Sequence, residues 1–202
     1  MYASTGFFAQ KLIAGIIGIL AVVAPADAAD ISRSQDAYSV LLQGELVPGD
    51  ASRLIAYADS RTRLVVLDSP GGSLGEGLRL AQLIAGAGWN TIVPSGASCI
   101  SACAISFMGG NERIVGLRAI VGVHAPYKQE DAELGGVTDP QLAVERSLSN
   151  LALRKVILEF AKSRGISRQI VDWMFVERQP MFFKAISIED GTRTNYFTKV
   201  VE

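Results

Sequence analysis

Attack on an acyl carbon needs a nucleophile, a base to take its proton and donors for the negative charge that develops. The sequence holds one imidazole, His124, which ends the apolar run Ala119–Val123 and precedes Ala125-Pro126. Ser101 lies 23 residues before it, in the uncharged stretch Ser-Gly-Ala-Ser-Cys-Ile-Ser-Ala-Cys-Ala-Ile-Ser-Phe-Met-Gly-Gly that fills positions 95–110. Ser95, Gly96, Ala97 and Ser98 suit a tight turn, Ala102 to Met108 a short buried helix, and Gly109-Gly110 its end. Ser101 therefore falls where turn becomes helix, beside the unpaired N–H groups of a first helical turn, a setting that suits a nucleophile. The same pattern also fits a buried small-residue helix with a capping serine. A histidine ending an apolar strand also fits an ordinary core residue.

Two cysteines, Cys99 and Cys103, flank Ser101. On a helix this i,i+4 spacing is near the upper limit of Cα separation for a disulfide, so the pair reads either as a disulfide or as two buried thiols. A zinc site lacks a second ligand pair. A cysteine nucleophile is the weaker option, because only His124 is present to lower a thiol pKa.

Strands and helices alternate around these residues. Tyr38, Val40 and Leu42 mark a strand after a polar lead-in over 29–37, and Asp50 can cap a helix over 51–58 with Leu54 and Ile55 inward. Leu64 to Leu67 is a continuous apolar run, as in a parallel strand covered on both faces. Ser73-Leu74-Gly75-Glu76 has the form of a capping box, followed by a helix with Leu80, Leu83, Ile84 and Ala87 on one face. Thr91-Ile92-Val93 and Arg113–Val115 read as strands. Residues 127–139 are polar and read as a mobile loop beside the site. Asp139-Pro140 starts the longest helix, to about Arg164, with Leu142, Leu148, Leu151, Ile157 and Phe160 as its apolar positions. Ser167 caps another helix. A turn over Ser187–Gly191 and a strand near Tyr196 close the chain. The alternation implies crossover units and a mainly parallel sheet in one domain.

The chain has 202 residues and a net charge of -1, from 19 basic and 20 acidic side chains. That balance argues against nucleic acid as a partner, which needs a basic face. Residues 1–28 read as an export signal. Lys11 supplies positive charge, Leu12 to Val23 is apolar apart from glycine, and Pro25 precedes the small-x-small pattern Ala26-Asp27-Ala28. Phe7, Phe8 and Ala9 could extend the apolar run into an uncleaved anchor in the inner membrane. Either form places residues 29–202 outside the cytoplasm, in the periplasm or its equivalent.

Leu67-Asp68-Ser69-Pro70-Gly71-Gly72-Ser73, the Ser101 turn, and His124-Ala125-Pro126 stand in that order. The set resembles the Clp-protease/crotonase superfamily, and within it exported Clp-like serine peptidases with a Cys-x-Ser-Ala-Cys motif. The resemblance runs from about Tyr38 onward. It implies a ββα spiral with a mainly parallel sheet and a helical C-terminal part. It implies peptidase activity without a cofactor on peptides or unfolded proteins, and rings or stacked trimers of identical subunits. By the same resemblance Ser101 is the nucleophile and His124 the base, with an oxyanion hole from the N–H groups of Gly71, Gly72 and Ala102. For the acid that orients the imidazole, Glu177 takes the matching position, Asp172 stands nearby, and a site without a third member is the remaining option. The superfamily also contains Ser–Lys dyads, for which Lys155 is best spaced. Other functions on the same fold are a non-catalytic peptide-binding or scaffold protein, and acyl-CoA chemistry; export and the Ser101–His124 pair speak against the latter. Sequencing of the protein from the cell envelope is expected to give an N-terminus at Ala29 or within a few residues of it; an intact Met1 would instead mean an anchor.

Overall fold

The computed structural model describes residues 28–126, 139–176 and 182–202. The export segment, the 127–138 part of the loop and Glu177 lie outside the described residues. A six-stranded sheet has the order β1-β2-β3-β4-β6-β9. Its strands are β1 (Asp30–Arg33), β2 (Ser39–Gln43), β3 (Leu64–Asp68), β4 (Asn90–Val93), β6 (Arg113–Gly116) and β9 (Lys199–Val201). Only the β1–β2 pair is antiparallel. A smaller sheet joins β5 (Ser98–Ile100) in parallel to β7 (Ile120–Val123), which pairs antiparallel with β8 (Lys184–Ala185). A bridge between Ser69 and Cys99 stitches the end of β3 to β5. The architecture is thus mixed α/β with a mainly parallel large sheet.

Helices α1 (Asp50–Tyr57), α2 (Leu74–Ala87), α3 (Ala102–Phe107), α4 (Pro140–Ser163), α5 (Arg168–Met174) and α6 (Ile188–Arg193) complete the described elements. Helix α3 is buried along its whole length. It approaches α2 through small residues: a Cβ on Gly77 would lie 2.5 Å from the Ala102 carbonyl oxygen, and one on Gly109 would collide with Ala81. Ser106 Oγ–H donates to both Gly77 O and Ala102 O, at 3.2 Å each, so the hydroxyl is satisfied inside this contact. Aromatic rings from the chain end support α3 as well. Phe107 meets Tyr196 and Phe197 edge-on, at 5.4 and 6.0 Å between centroids. The buried Tyr196 hydroxyl donates to Ala104 O at 2.7 Å, and burial pushes its pKa far above the ordinary phenol range. Arg113, lowered to about 10 by burial and the nearby Arg164 charge, donates to Tyr196 O, Asn195 O and Gly110 O.

Several local expectations are corrected. The lead-in over 29–37 is not frayed: its first part is strand β1, with Ala29 and Ile31 buried, because apolar alternation there is short but real. Ile55 is exposed while Leu54 is buried, as an eight-residue helix has room for one narrow inward face. Asp50 lies inside α1, not at its cap. Its carboxylate accepts from Val47 N–H and pairs with Arg53. The helix is capped from elsewhere, by Glu76 Oε1 accepting from Ala51 N–H at 2.7 Å. The capping box of α2 is consequently half formed: Ser73 Oγ accepts from Glu76 N–H, while the Glu76 side chain serves α1. Residues 64–68 alternate between buried and half-buried instead of being covered throughout. Leu148 and Leu151 of α4 are exposed, while Ile157 is buried. The 187–191 turn is part of helix α6, capped by Ser187, and the last strand begins at Lys199, after Tyr196.

Glu76 is almost fully buried and couples two helices. Burial acts to raise its pKa, but N–H donation from Ala51, the Arg79 guanidinium and Gly49 N–H outweigh it, leaving the carboxyl below its usual range. A carboxyl held low in the folded state adds stability above its unfolded pKa and loses it as pH falls through the folded one. Glu76→Ala is therefore expected to cost about 2–3 kcal/mol at neutral pH, the worth of hydrogen bonds to a charged group. Denaturant titrations of both proteins check this, and the difference should shrink as pH falls below about 4, where the unfolded chain takes up the proton first and the folded carboxyl only at lower pH.

Candidate active site

The Ser101 turn is built by two fixed directions. Strand β5 is held by β7 and by the Ser69 bridge, with Ile100 N–H donating to Ser69 O. Helix α3 is held by α2. Between them Ser101 has φ 59° and ψ -121°, a conformation uncommon for any residue but glycine. Its N–H donates to Gly122 O at 2.9 Å, which extends the β5–β7 ladder up to Ser101. The sequence suggested a turn from Ser95 that becomes a helix at Ser101; residues 98–100 are instead strand β5, which leads into Ser101.

Cys99 and Cys103 are joined by a disulfide, with Cα atoms 5.1 Å apart. They do not share a helix: Cys99 is on β5 and Cys103 in α3, so the separation falls inside the ordinary range for disulfides. In the chain-entropy account, a bridge over so short a loop stabilises the fold by only about 2 kcal/mol.

The Ser69-Pro70-Gly71-Gly72 segment runs along the same place. Gly71 has φ 104°, and its missing Cβ would stand 2.7 Å from both Ile100 O and Ser101 Cβ and 3.1 Å from Ala102 N. Only glycine allows this contact between the two segments. Gly71 N–H donates to the buried Ser69 Oγ at 3.1 Å, a side-chain turn in which the hydroxyl stands in for a backbone acceptor. The sequence reading missed this role of Ser69, although a serine two residues before glycine is its signal. Leu46 N–H donates to Gly71 O and Ser73 N–H to Leu46 O. These bonds flank Gly72 on one edge, so pleat alternation turns the Gly72 N–H to the other. Of the two glycines, Gly71 has its N–H engaged by Ser69, and Gly72 turns its N–H away from Leu46. Ala102 N–H is at the first position of α3.

A cleft of about 540 Å³ joins these parts. Ser101, His124, Gly71 and Gly72 all line it, and Ile105, Ile157, Met174 and Phe175 give it an apolar wall. His124 Nδ1 lies 2.8 Å from Ala125 O. A carbonyl can only accept, so with a proton on Nδ1 this contact is a hydrogen bond and Nε2 is left with the lone pair. That orienting carbonyl belongs to the residue after the histidine, and side-chain motifs gave no signal for it.

The alternatives fall elsewhere. Asp172 is not a lining residue; Arg154 and Arg168 bind its carboxylate. Burial acts to raise its pKa, but the two guanidiniums hold it below the usual range. Lys155 is exposed on α4 and does not line the cleft.

Replacing Gly71 by alanine tests the contact that brings the glycines to Ser101. The positive φ alone is expected to cost about 1–3 kcal/mol, with the clash against Ile100 O added to it. Thermal unfolding should show the loss for Gly71→Ala. Gly86→Ala is the control: a Cβ there meets nothing within 4 Å, so its effect should be neutral or stabilising.

No protein-family model matches the chain, and neither does any curated protein. Among solved structures, a mutant of ClpP1 from Listeria monocytogenes is similar, with a TM-score of 0.57 and 16% identity over 83% of this chain and 92% of that one. At that identity the likeness is one of fold, and the fold of this chain is Clp-protease-like.

Proposed function

We propose that this chain is a serine peptidase of the cell envelope that hydrolyses peptide bonds in short or unfolded segments. The observation that carries the reading is that Ser101, in its strained turn, shares one cleft with His124 and the Gly71-Gly72 strand. In the proposed reaction Nε2 of His124 takes the proton of Ser101 Oγ as that oxygen attacks the peptide carbonyl. The N–H groups of Gly72 and Ala102 receive the oxyanion. The proton then passes from the imidazole to the leaving amine, and water releases the acyl group by the same steps.

Glu177 is the proposed third member, reinforcing the orientation that Ala125 O begins. Asp172, engaged by two arginines, serves the α4–α5 contact. The export signal supports an envelope location, where no ATP-driven unfolding partner is at hand, so extended or unfolded peptides are the fitting substrates. The exposed Leu148, Leu151 and Val156 of α4 support association with further copies of the chain.

A fluorophosphonate probe, mapped by mass spectrometry on the purified mature protein, tests the reading. Labelling is expected at Ser101 and should be lost in both Ser101→Ala and His124→Ala. Peptidase activity should fall by orders of magnitude in each, with little further loss in the double variant, because the pair acts as one unit. Glu177→Gln should lower the rate strongly, and Asp172→Asn should lower stability while leaving the rate nearly unchanged. A folded protein that never labels would leave a peptide-binding scaffold as the better reading.

A further inference from the structure

Cys99 and Cys103 stand two residues to either side of Ser101, and both are fully buried. One belongs to the strand that enters the turn and the other to the helix that leaves it. The bond between them closes a ring whose middle residue is Ser101. That residue carries the unusual pair φ 59°, ψ -121°. Sheet pairing fixes the direction of β5 and helix packing that of α3, and the Ser101 N–H bonds Gly122 O between them. The disulfide adds the covalent tie from strand to helix. A serine released from such a constraint relaxes toward the broad negative-φ regions. That rotation would swing the Ser101 side chain and the neighbouring Ala102 N–H away from the Gly71-Gly72 strand.

We propose that Cys99 and Cys103 are positioning residues: their disulfide holds Ser101 and the Ala102 N–H in the reactive arrangement, and the dithiol form is folded but slow. The proposal rests on Ser101 being the nucleophile. It gives the peptidase a dependence on compartment, because cytosolic thiols are kept reduced while exported ones oxidise. In forming the bridge the two thiols lose two protons and two electrons to the disulfide of an oxidised dithiol protein, which leaves as its dithiol. A chain still inside the cell would thus hold Ser101 loosely, and the site would become competent after export.

The experiment compares the oxidised mature protein with Cys99→Ala/Cys103→Ala and with Cys103→Ala alone, under conditions where circular dichroism shows all three folded. The fluorophosphonate labelling rate and kcat are expected to fall at least tenfold in both variants and to the same extent, since the bridge is one unit. KM should change little, because the apolar wall of the cleft is untouched. A loss acting only through stability would leave kcat of the folded protein unchanged, so equal labelling rates overturn the proposal. If the variants do not fold, the native protein reduced with dithiothreitol and alkylated provides the comparison. The reduced protein should be slow, and reoxidation without alkylation should restore the rate; a fully active reduced protein overturns the idea. An oxidised native protein that does not label at Ser101 would instead remove the peptidase reading itself.

Discussion

Everything at the candidate site depends on how closely α3 can lie against α2. The two helices meet through Gly77 and Ala81 on one side and Ala102, Ser106 and Gly109 on the other, and added methyl groups at the glycines would meet main chain. Main chain cannot step aside as a flexible side chain can. A larger residue there would move α3 as a body and carry Ser101 and the Ala102 N–H with it. The small-residue character of 95–110 is therefore a packing requirement before it is a catalytic one. The same requirement explains why a serine, Ser106, is tolerated in the middle of a buried helix: both of its acceptors lie within the contact.

The site is then assembled from pieces far apart in the chain, each limited to one local conformation. The Ser69 hydroxyl ties down Gly71, Leu46 ties down the Gly72 strand from one edge, and Gly122 O holds Ser101. Ala125 O lies against Nδ1 of His124. Most of these partners are backbone atoms. Such groups cost little side-chain entropy to fix, which is one way a site can be arranged before a ligand arrives.

The pattern of legibility follows from that. Ser101, His124 and the Pro-Gly-Gly turn could be read from the sequence, because their residue types are rare or conformationally special. The parallel strands β3, β4, β6 and β7 were legible as apolar runs, and α2 and α4 from punctuation by serine, proline and glycine. Strand β1 was not, since four residues carry too little periodicity to separate a strand from a polar lead-in. Strand β5 was missed for a related reason: Ser98-Cys99-Ile100 looks like part of a turn until its partners in β7 and at Ser69 are known. Glu76 shows the limit of local rules. Its position fitted a box within α2, but its carboxylate caps a different helix 25 residues away in sequence. The cleft wall combines α3 with α4 and α5, a juxtaposition no local pattern encodes.

The last residues of the chain have a consequence for when this protein can fold. Tyr196 reaches back 92 residues to bond Ala104 in α3, and Arg113 spans 83 residues to bond Tyr196 O. Strand β9 then seals the open edge of β6. Contacts of such long range form late and slowly, because the loop they close must first be ordered. Until Tyr196 and Phe197 dock, α3 lacks its aromatic buttress. The region around Ser101 is therefore braced by a strand and a ring pair that the chain supplies some ninety residues later, so its completion waits on the slowest class of contact.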